Sequence, residues 1–388
     1  MSRPLRIALV AGEASGDVLG ASLIDALKAR YADAEFYGIG GPKMIAAGLR
    51  SEYEQEKLAV RGAAEVVAHL PEILSIRRGI TAKLKAWQPD VMIGIDAPDF
   101  NLAVERQLKK AGIPTVHYVS PTVWAWRRGR TKKIVAAVNQ LLCLFPFEPA
   151  CYQGQGLAPV FVGHPLADEI DPAINRQQVR QSLNLPEAAP LITLMPGSRQ
   201  SELAYHAQLF VETANRVAQA LPEALFLVPL TTKETRALFE AALKAHAVAE
   251  LRVRILFGHA RDALAASDLA LVCSGTATLE AALLRCPMII TYRLSAFSAW
   301  VYKKLRYLTW VGLPNILLGR LVVPELLQEE ATAEKLSDAL IQLWRQPNRR
   351  AEMESAFASI HQKLRQSSAE RAADAVLDCI NPVYRSFQ

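Results

Sequence analysis

Ser274-Gly275-Thr276-Ala277-Thr278-Leu279-Glu280 is the stretch on which the reading of this chain turns. The apolar residues Leu269, Ala270, Leu271, Val272 and Cys273 lead into it, and Ala281 to Leu284 lead out of it. The order is strand, tight turn of small residues, helix N-terminus, which is the repeating unit of a parallel α/β sheet. Gly275 lets a ligand approach the backbone closely, and Ser274, Thr276 and Thr278 supply hydroxyls of the kind that cap helices. The unpaired N–H groups and positive dipole end of such a helix suit a phosphate. Glu280 lies about one turn further in. A carboxylate there repels a phosphate and is better matched to sugar hydroxyls. Diphosphate on the amides with ribose on the carboxylate makes a nucleotide-sugar site; a capped core helix is the competing reading of the same residues.

The alternation extends in both directions. Strands are expected over Ile7–Ala11, Glu35–Ile39, Val91–Ile95, Thr115–Val119 and Val160–Val162, with helices over Val18–Tyr31 and Leu102–Ala111. Residues 165–189 are polar and proline-rich and read as a linker with one short helix. A second series of strands is expected over Leu191–Leu194, Leu225–Pro229, Arg252–Phe257, Leu269–Cys273 and Met288–Tyr292. Helices follow over Ala333–Leu343, Asn348–Leu364 and Glu370–Cys379. The expected fold is α/β: two doubly wound, Rossmann-like domains, 1–165 and 190–345, with C-terminal helices in 346–388 that pack back on the first domain or are exchanged in a dimer. Ligands of such sheets sit outside the carboxyl ends of the strands, so motifs at strand ends in both halves are read together, as walls of one interdomain cleft.

Composition narrows the function. The chain has 388 residues, of which 51% are hydrophobic, and a mean hydropathy of +0.12. Large cores can form, yet no apolar run approaches the ~20 residues that span a bilayer. The best, Val311 to Leu327, is interrupted by Pro314, Asn315, Arg320 and Pro324. Ile7 to Val10 is too short for a secretory signal, so a cytoplasmic protein is expected. The net charge of +6 favours anionic partners. Five cysteines form no CxxC pair and are expected as buried thiols. Neither HExxH nor DxD occurs among the residues, so neither a protein-held metal nor another cofactor is expected.

Other strand ends carry chemistry. Gly12-Glu13-Ala14-Ser15-Gly16-Asp17 follows the first strand but is not GxGxxG. Its carboxylates suit sugar hydroxyls better than a diphosphate, the alternative being that Ser15 or Asp17 caps the next helix. Asp96 ends a second strand, in Ile95-Asp96-Ala97-Pro98-Asp99-Phe100. A carboxylate in a closed cleft can act as general base on an alcohol, while Asp99 is placed to cap the helix near Leu102; a turn-stabilising role for Asp96 competes. Met195-Pro196-Gly197-Ser198-Arg199 ends the first strand of the second half. Gly197 permits close approach, Ser198 can donate, and Arg199 can hold a phosphate bidentately. Gly258-His259-Ala260 offers a weaker signal for a backbone contact to a base. Ser120 to Arg130 interleaves aromatic residues with Arg127, Arg128 and Arg130. That pattern suits a phosphorylated head group or single-stranded nucleic acid, and the α/β context favours small ligands. Between Ala64 and Ile80, Val66, Val67, Leu70, Ile73, Leu74 and Ile76 precede Arg77 and Arg78, a composition for a helix on an anionic membrane surface or for a core helix. Pro71 is expected to divide it into two pieces.

Together, GEASGD (12–17), GIGGPKM (38–44), GIDAPDFN (94–101), YVSPTVWAWRRGR (118–130), GHPL (163–166), PGSR (196–199), SGTATLEAALL (274–284) and LPNILL (313–318) resemble the lipid-A-disaccharide synthase family of GT-B glycosyltransferases. Thr122 and Cys151 depart from the family pattern at positions to which no catalysis is assigned. The resemblance implies transfer of 2,3-diacylglucosamine from UDP-2,3-diacylglucosamine to 2,3-diacylglucosamine 1-phosphate, with inversion and without a required metal. It implies peripheral attachment to the cytoplasmic face of the inner membrane and a homodimer made by exchanging C-terminal segments. Asp96 would then take the acceptor's proton, with Asp99 and Asp90 as alternatives. Gly275, Thr276 and Arg199 would stabilise UDP, Glu280 would hold the ribose, and Asn315 would contact the donor. Glu13, Ser15, Gly16 and Asp17 would position sugar, and the Val66–Ile76 segment would meet acyl chains. The rivals are a soluble UDP-sugar enzyme of this fold such as a 2-epimerase, a nucleic-acid binder and a non-catalytic membrane-surface protein. GIDAPDFN with SGTATLE argues against the last two, so no nucleic-acid partner is expected.

Overall fold

The computed structural model describes residues 3–58, 63–125, 128–294 and 309–380. The chain forms two compact units, Met1–Asp168 with Leu364–Gln388, and Glu169–Lys363.

The sheet of the first unit has the order β3-β2-β1-β4-β5-β6-β7. Its strands are β1 (Arg6–Ala11), β2 (Glu35–Ile39), β3 (Leu49–Ser51), β4 (Val91–Ile95), β5 (Thr115–Tyr118), β6 (Gln140–Cys143) and β7 (Val160–Phe161). All pair in parallel. The order reverses between β1 and β4, where such sheets bind ligands. There Ala11 pairs with Ile95, so the turns that begin at Gly12 and Asp96 leave the sheet side by side.

Both faces are covered, as a parallel sheet requires. On one, α1 (Ala14–Lys28) contributes Leu23, Ile24 and Leu27 to a core with Leu9, Ile93 and Val116. The C-terminal helix Ser368–Ile380 seals this same face with Ala372, Ala373 and Val376, all 0% exposed. Its start is held by Asp168, whose carboxylate accepts the N–H groups of Gln366, Ser367 and Ser368 at 2.7–3.0 Å. The other face carries α3 (Ala63–Trp87) and α4 (Pro98–Lys110) through Ile76, Ile80, Leu84, Val104 and Leu108; the short α2 (Pro42–Ala46) follows β2. The single helix α3 runs through Pro71 rather than breaking there. Its packed face beyond the proline holds it on the sheet, which outweighs the hydrogen bond that proline removes. Helix α4 starts at Pro98, not Leu102, so its N-cap is Ala97 and Asp99 lies in the first turn.

In the second unit the order is β10-β9-β8-β11-β12-β13. The strands are β8 (Leu191–Met195), β9 (Leu225–Leu230), β10 (Val253–Phe257), β11 (Leu269–Cys273), β12 (Met288–Tyr292) and β13 (Glu325–Leu327). Again all are parallel. Val272 pairs with Met195, so the Gly197 and Gly275 turns emerge together at this sheet's own reversal. Among the described residues, no helix is long and apolar enough to cross a membrane.

Candidate active site

The first unit places Asp96 in an unusual backbone. Asp96 and Ala97 have φ of 50° and 42°, consecutive left-handed residues that are not glycine, each costing of order 1–3 kcal/mol. Several contacts hold them there. The Asp96 N–H donates to the Tyr118 carbonyl at 2.9 Å. Asn101, fully buried, reaches back from α4 with Nδ2 at 2.8 Å from the Asp96 carbonyl, 3.1 Å from that of Val10 and 3.3 Å from that of Ile95. Gly12 closes the third side: a Cβ there would stand 2.7 Å from Ala97 Cβ. The side chain of Asp96 is half-buried. Burial raises its pKa above the ordinary carboxylate range; the Glu13 carboxylate adds to this, while the Ala97 N–H and His117 act against it. A carboxylate with raised proton affinity at a sheet's reversal point is equipped to take a proton from an alcohol.

The rest of the GEASGD segment divides. Ser15 is exposed and Glu13 half-buried. Gly16 and Asp17 are not available to a sugar, contrary to expectation. Gly16 is buried, and a Cβ on it would meet Ala11 Cβ at 3.3 Å and Ile95 at 3.5 Å, so it seats α1 on the sheet. Asp17 is 4% exposed and accepts the N–H groups of Lys43 and Met44 at 3.0 and 2.9 Å; it caps α2. Asp99 is exposed and pairs with Arg130 at 2.5 Å, a surface ion pair of small worth.

In the second unit, helix Thr276–Leu283 begins at exposed Gly275 with no side-chain cap. The expected capping hydroxyls are occupied elsewhere: Ser274 Oγ donates to the Val311 carbonyl at 3.2 Å, and Thr278 Oγ donates back to Gly275 at 2.7 Å. Thr276 is exposed, and nothing would crowd a Cβ on Gly275 within 4 Å. The start of this helix is therefore accessible at Gly275 and Thr276, as an anion-binding helix terminus requires. Glu280 is half-buried one turn in, its Oε1 2.9 Å from Arg261 Nε. Arg261 also meets Glu169 at 3.0 Å.

The PGSR turn is built around a residue that the motif did not flag. Glu202 Oε2 accepts the N–H groups of Ser198 and Arg199 at 2.8 and 3.3 Å. A Cβ on Gly197, whose φ is +123°, would lie 2.6 Å from Glu202 Cβ. The glycine makes room for Glu202, and the Ser198 amide is already paired, so a contact from Ser198 to a phosphate falls to its exposed hydroxyl. The exposed Arg199 side chain has no ion pair among the described residues and stays free to meet an anion. A glutamate at the third helical position was the available signal.

Asn315 is corrected as well. It is 0% exposed; Nδ2 donates to the Val323 carbonyl and to Glu325 Oε1, and Oδ1 accepts the N–H groups of Val322 and Val323, all at 2.8–2.9 Å. All of its polar capacity is consumed internally. Glu325 also takes the N–H groups of Val311 and Gly312 at 2.9 Å, so the pair shapes the loop that Ser274 touches and leaves nothing for a donor.

Among the candidate acyl-facing residues, Leu70 is 44% exposed, whereas Ile76 is 5% exposed and belongs to the core, correcting its assignment. Ile73 and Leu74 are half-buried, with Ile73 packed on that core. The side chains of Val66 and Val67 lie outside the described residues, as do Trp126, Arg127 and the Arg128 side chain. Sequence reasoning also missed Glu148, which is 2% exposed. It accepts Trp124 Nε1–H at 3.2 Å and the Phe145 N–H at 2.9 Å, and burial pushes its carboxyl up to about 8. Above it, Phe145 and Phe147 stack at 5.5 Å with Trp124 edge-on.

Known proteins resemble the chain at two levels. In fold, it matches a putative UDP-N-acetylglucosamine 2-epimerase from Listeria monocytogenes, with TM-score 0.65, 13% identity and coverage of 100% of this chain and 98% of that one. A glycosyltransferase from Rickettsia africae gives TM-score 0.62 at 11% identity, covering 99% and 100%. In sequence, it is 53% identical over 382 residues to a lipid-A-disaccharide synthase of Dechloromonas aromatica, covering 98% of this chain and 100% of the relative. Against the synthase of Chromobacterium violaceum it is 54% identical over 374 residues, covering 96% and 97%. The family model described as lipid-A-disaccharide synthetase matches residues 7–378. With nearly the whole length matched, and with GT-B-like twin parallel sheets beneath it, the chain belongs to the lipid-A-disaccharide synthase family.

Proposed function

We propose that this chain makes lipid A disaccharide 1-phosphate and UDP from UDP-2,3-diacylglucosamine and 2,3-diacylglucosamine 1-phosphate, with Asp96 as the base. The observation that carries the base assignment is the strained, pinned turn that holds a half-buried carboxylate of raised proton affinity at the reversal of the first sheet. The acceptor's 6-hydroxyl gives its proton to Asp96 as its oxygen forms a bond to the donor's anomeric carbon. The bond from that carbon to the UDP oxygen breaks on the opposite side, and the configuration inverts. Charge gathering on UDP is met by the amides of Thr276 and Ala277, the helix dipole and Arg199. Glu280, half-buried and paired with Arg261 through Oε1, accepts a ribose hydroxyl in this reading. Glu13 and Ser15 face the acceptor sugar.

The test is UDP release from UDP-2,3-diacylglucosamine with and without the acceptor. Release that requires the acceptor, falls about 10²–10⁴-fold in Asp96→Asn and leaves donor affinity intact supports the reading. Acceptor-independent release, or a fully active Asp96→Asn, rejects it.

The chain's apolar substrates reside in a membrane, and Leu70 with Leu74 on α3, next to Arg77 and Arg78, supplies an apolar and basic surface for one. Leu70→Ser/Leu74→Ser should weaken sedimentation with vesicles containing anionic lipid while sparing UDP binding; undiminished sedimentation would remove α3 from this role. Pairing through exchanged C-terminal segments belongs to the same proposal, and sedimentation velocity reads it directly.

A further inference from the structure

Behind Asp96 lies a polar cluster that the chemistry does not touch. Glu105 on α4 and His117 on β5 are both 0% exposed, and His117 Nδ1 lies 2.7 Å from Glu105 Oε1. The pair meets across β4 only because position 94 is glycine: a Cβ there would stand 2.0 Å from Glu105 Oε1 and 2.9 Å from Asn101 Cβ. Asn101 precedes Glu105 by one turn on the same helix face and is the residue that grips the Asp96 carbonyl.

Stability does not explain this arrangement. Asn101 Oδ1, Glu105 Oε2 and His117 Nε2 are buried without a hydrogen-bond partner, and each such atom costs of order 1–3 kcal/mol. Apolar side chains of similar shape are often neutral or better at such places. Location explains it. His117 immediately precedes Tyr118, whose carbonyl receives the Asp96 N–H. The Glu105–His117 bond therefore locks α4 to β5 at the two points from which the Asp96 backbone is held.

We infer that Asn101, Glu105 and His117 are positioning residues that fix the Asp96 turn for proton transfer without touching substrate. The inference rests on the reading of Asp96 as the base. The charged and titratable groups around Asp96 are Glu13 from the β1 turn, His117 from β5, and Asp99 with its partner Arg130 beside it. If the clamp is lost, the turn relaxes toward water and the acidic limb of the rate profile moves to lower pH, because burial is the largest cause of the raised pKa of Asp96.

The experiment compares Asp96→Asn, Glu105→Gln and the double variant Glu105→Met/His117→Leu. For each, acceptor-dependent UDP release against pH, UDP affinity by calorimetry and the thermal midpoint are measured. The expected double variant melts at or above the wild-type temperature, binds UDP normally and loses about tenfold or more in kcat; the downward shift of the acidic limb is read in Glu105→Gln, which keeps His117 and its own lowering effect on Asp96. Wild-type turnover in a folded double variant overturns the inference, as does a loss that follows a fallen thermal midpoint with the pH limb of Glu105→Gln unmoved. Should the double variant fail to fold, Glu105→Gln decides: a kcat loss of about fivefold or more with UDP affinity kept supports positioning, and a smaller loss overturns it. An active Asp96→Asn sinks the base assignment itself, a result separate from an inactive Asp96→Asn beside active clamp variants.

Discussion

Asn315 and Asp96 look alike in the sequence: each is a polar residue in a proline-containing turn after an apolar run. Their neighbours separate them. Asn315 is enclosed by the carbonyl of Val323, the carboxylate of Glu325 and the amides of Val322 and Val323, whereas the Asp96 carboxylate keeps partial access to solvent. Asn315→Ala should lower unfolding free energy by about 2–4 kcal/mol, since it strands several buried groups. UDP affinity measured on the folded fraction should stay near wild type. A specific loss of UDP affinity with stability unchanged would restore Asn315 to the donor site. Position was legible where a residue directly follows a strand at a sheet's reversal, as with Asp96 and Gly275. The role was illegible where the decisive partner is distant in sequence: Lys43 and Met44 for Asp17, Val322 to Glu325 for Asn315.

At the scale of elements, the parallel strands with unbroken Val, Ile and Leu runs could be read directly, because burial on both faces demands that composition. β3, β6 and β13 escaped because Leu49-Arg50-Ser51, Gln140-Leu141-Leu142-Cys143 and Glu325-Leu326-Leu327 are short and carry no periodicity. Helix starts were placed too late at α1 and α4 because Ala14 and Pro98 open helices without an apolar signal. The meeting of β1 and β4 governs the site. Gly12→Ala would press a methyl on Ala97 and force the two turns apart. The expected outcome is a kcat loss of about tenfold or more with donor KM little changed, since the residues proposed to hold the donor lie in the other unit. An equal rise in donor KM would contradict this.

For the whole molecule, buried Glu148 couples stability to pH. Its carboxyl titrates at about 8 in the fold, against 4.5 as its ordinary value. The folded chain thus holds a proton that the unfolded chain releases between those values. The stabilisation is complete below pH 4.5 and is lost as pH rises through 8, with a slope of up to about 1.4 kcal/mol per pH unit. Glu148→Gln, a neutral stand-in for the protonated carboxyl, should remove that slope and so gain on the wild type as pH rises toward 8. Denaturant melts across this range read it, and an unchanged slope would place the coupling elsewhere.

The first unit is assembled from both ends of the chain, and this sets a timetable. A ribosome delivers β1 to β7 early, but the helix that seals one face of their sheet, with Ala372, Ala373 and Val376, is translated only after residues 169–363. Throughout synthesis of residues 169–363 that apolar face waits without its cover, the condition in which nascent chains recruit chaperones or aggregate. A message cut short anywhere in its final portion yields a protein whose second sheet can form while the first stays exposed. Such fragments leave an apolar face exposed, the feature by which proteases and chaperones sort incomplete chains.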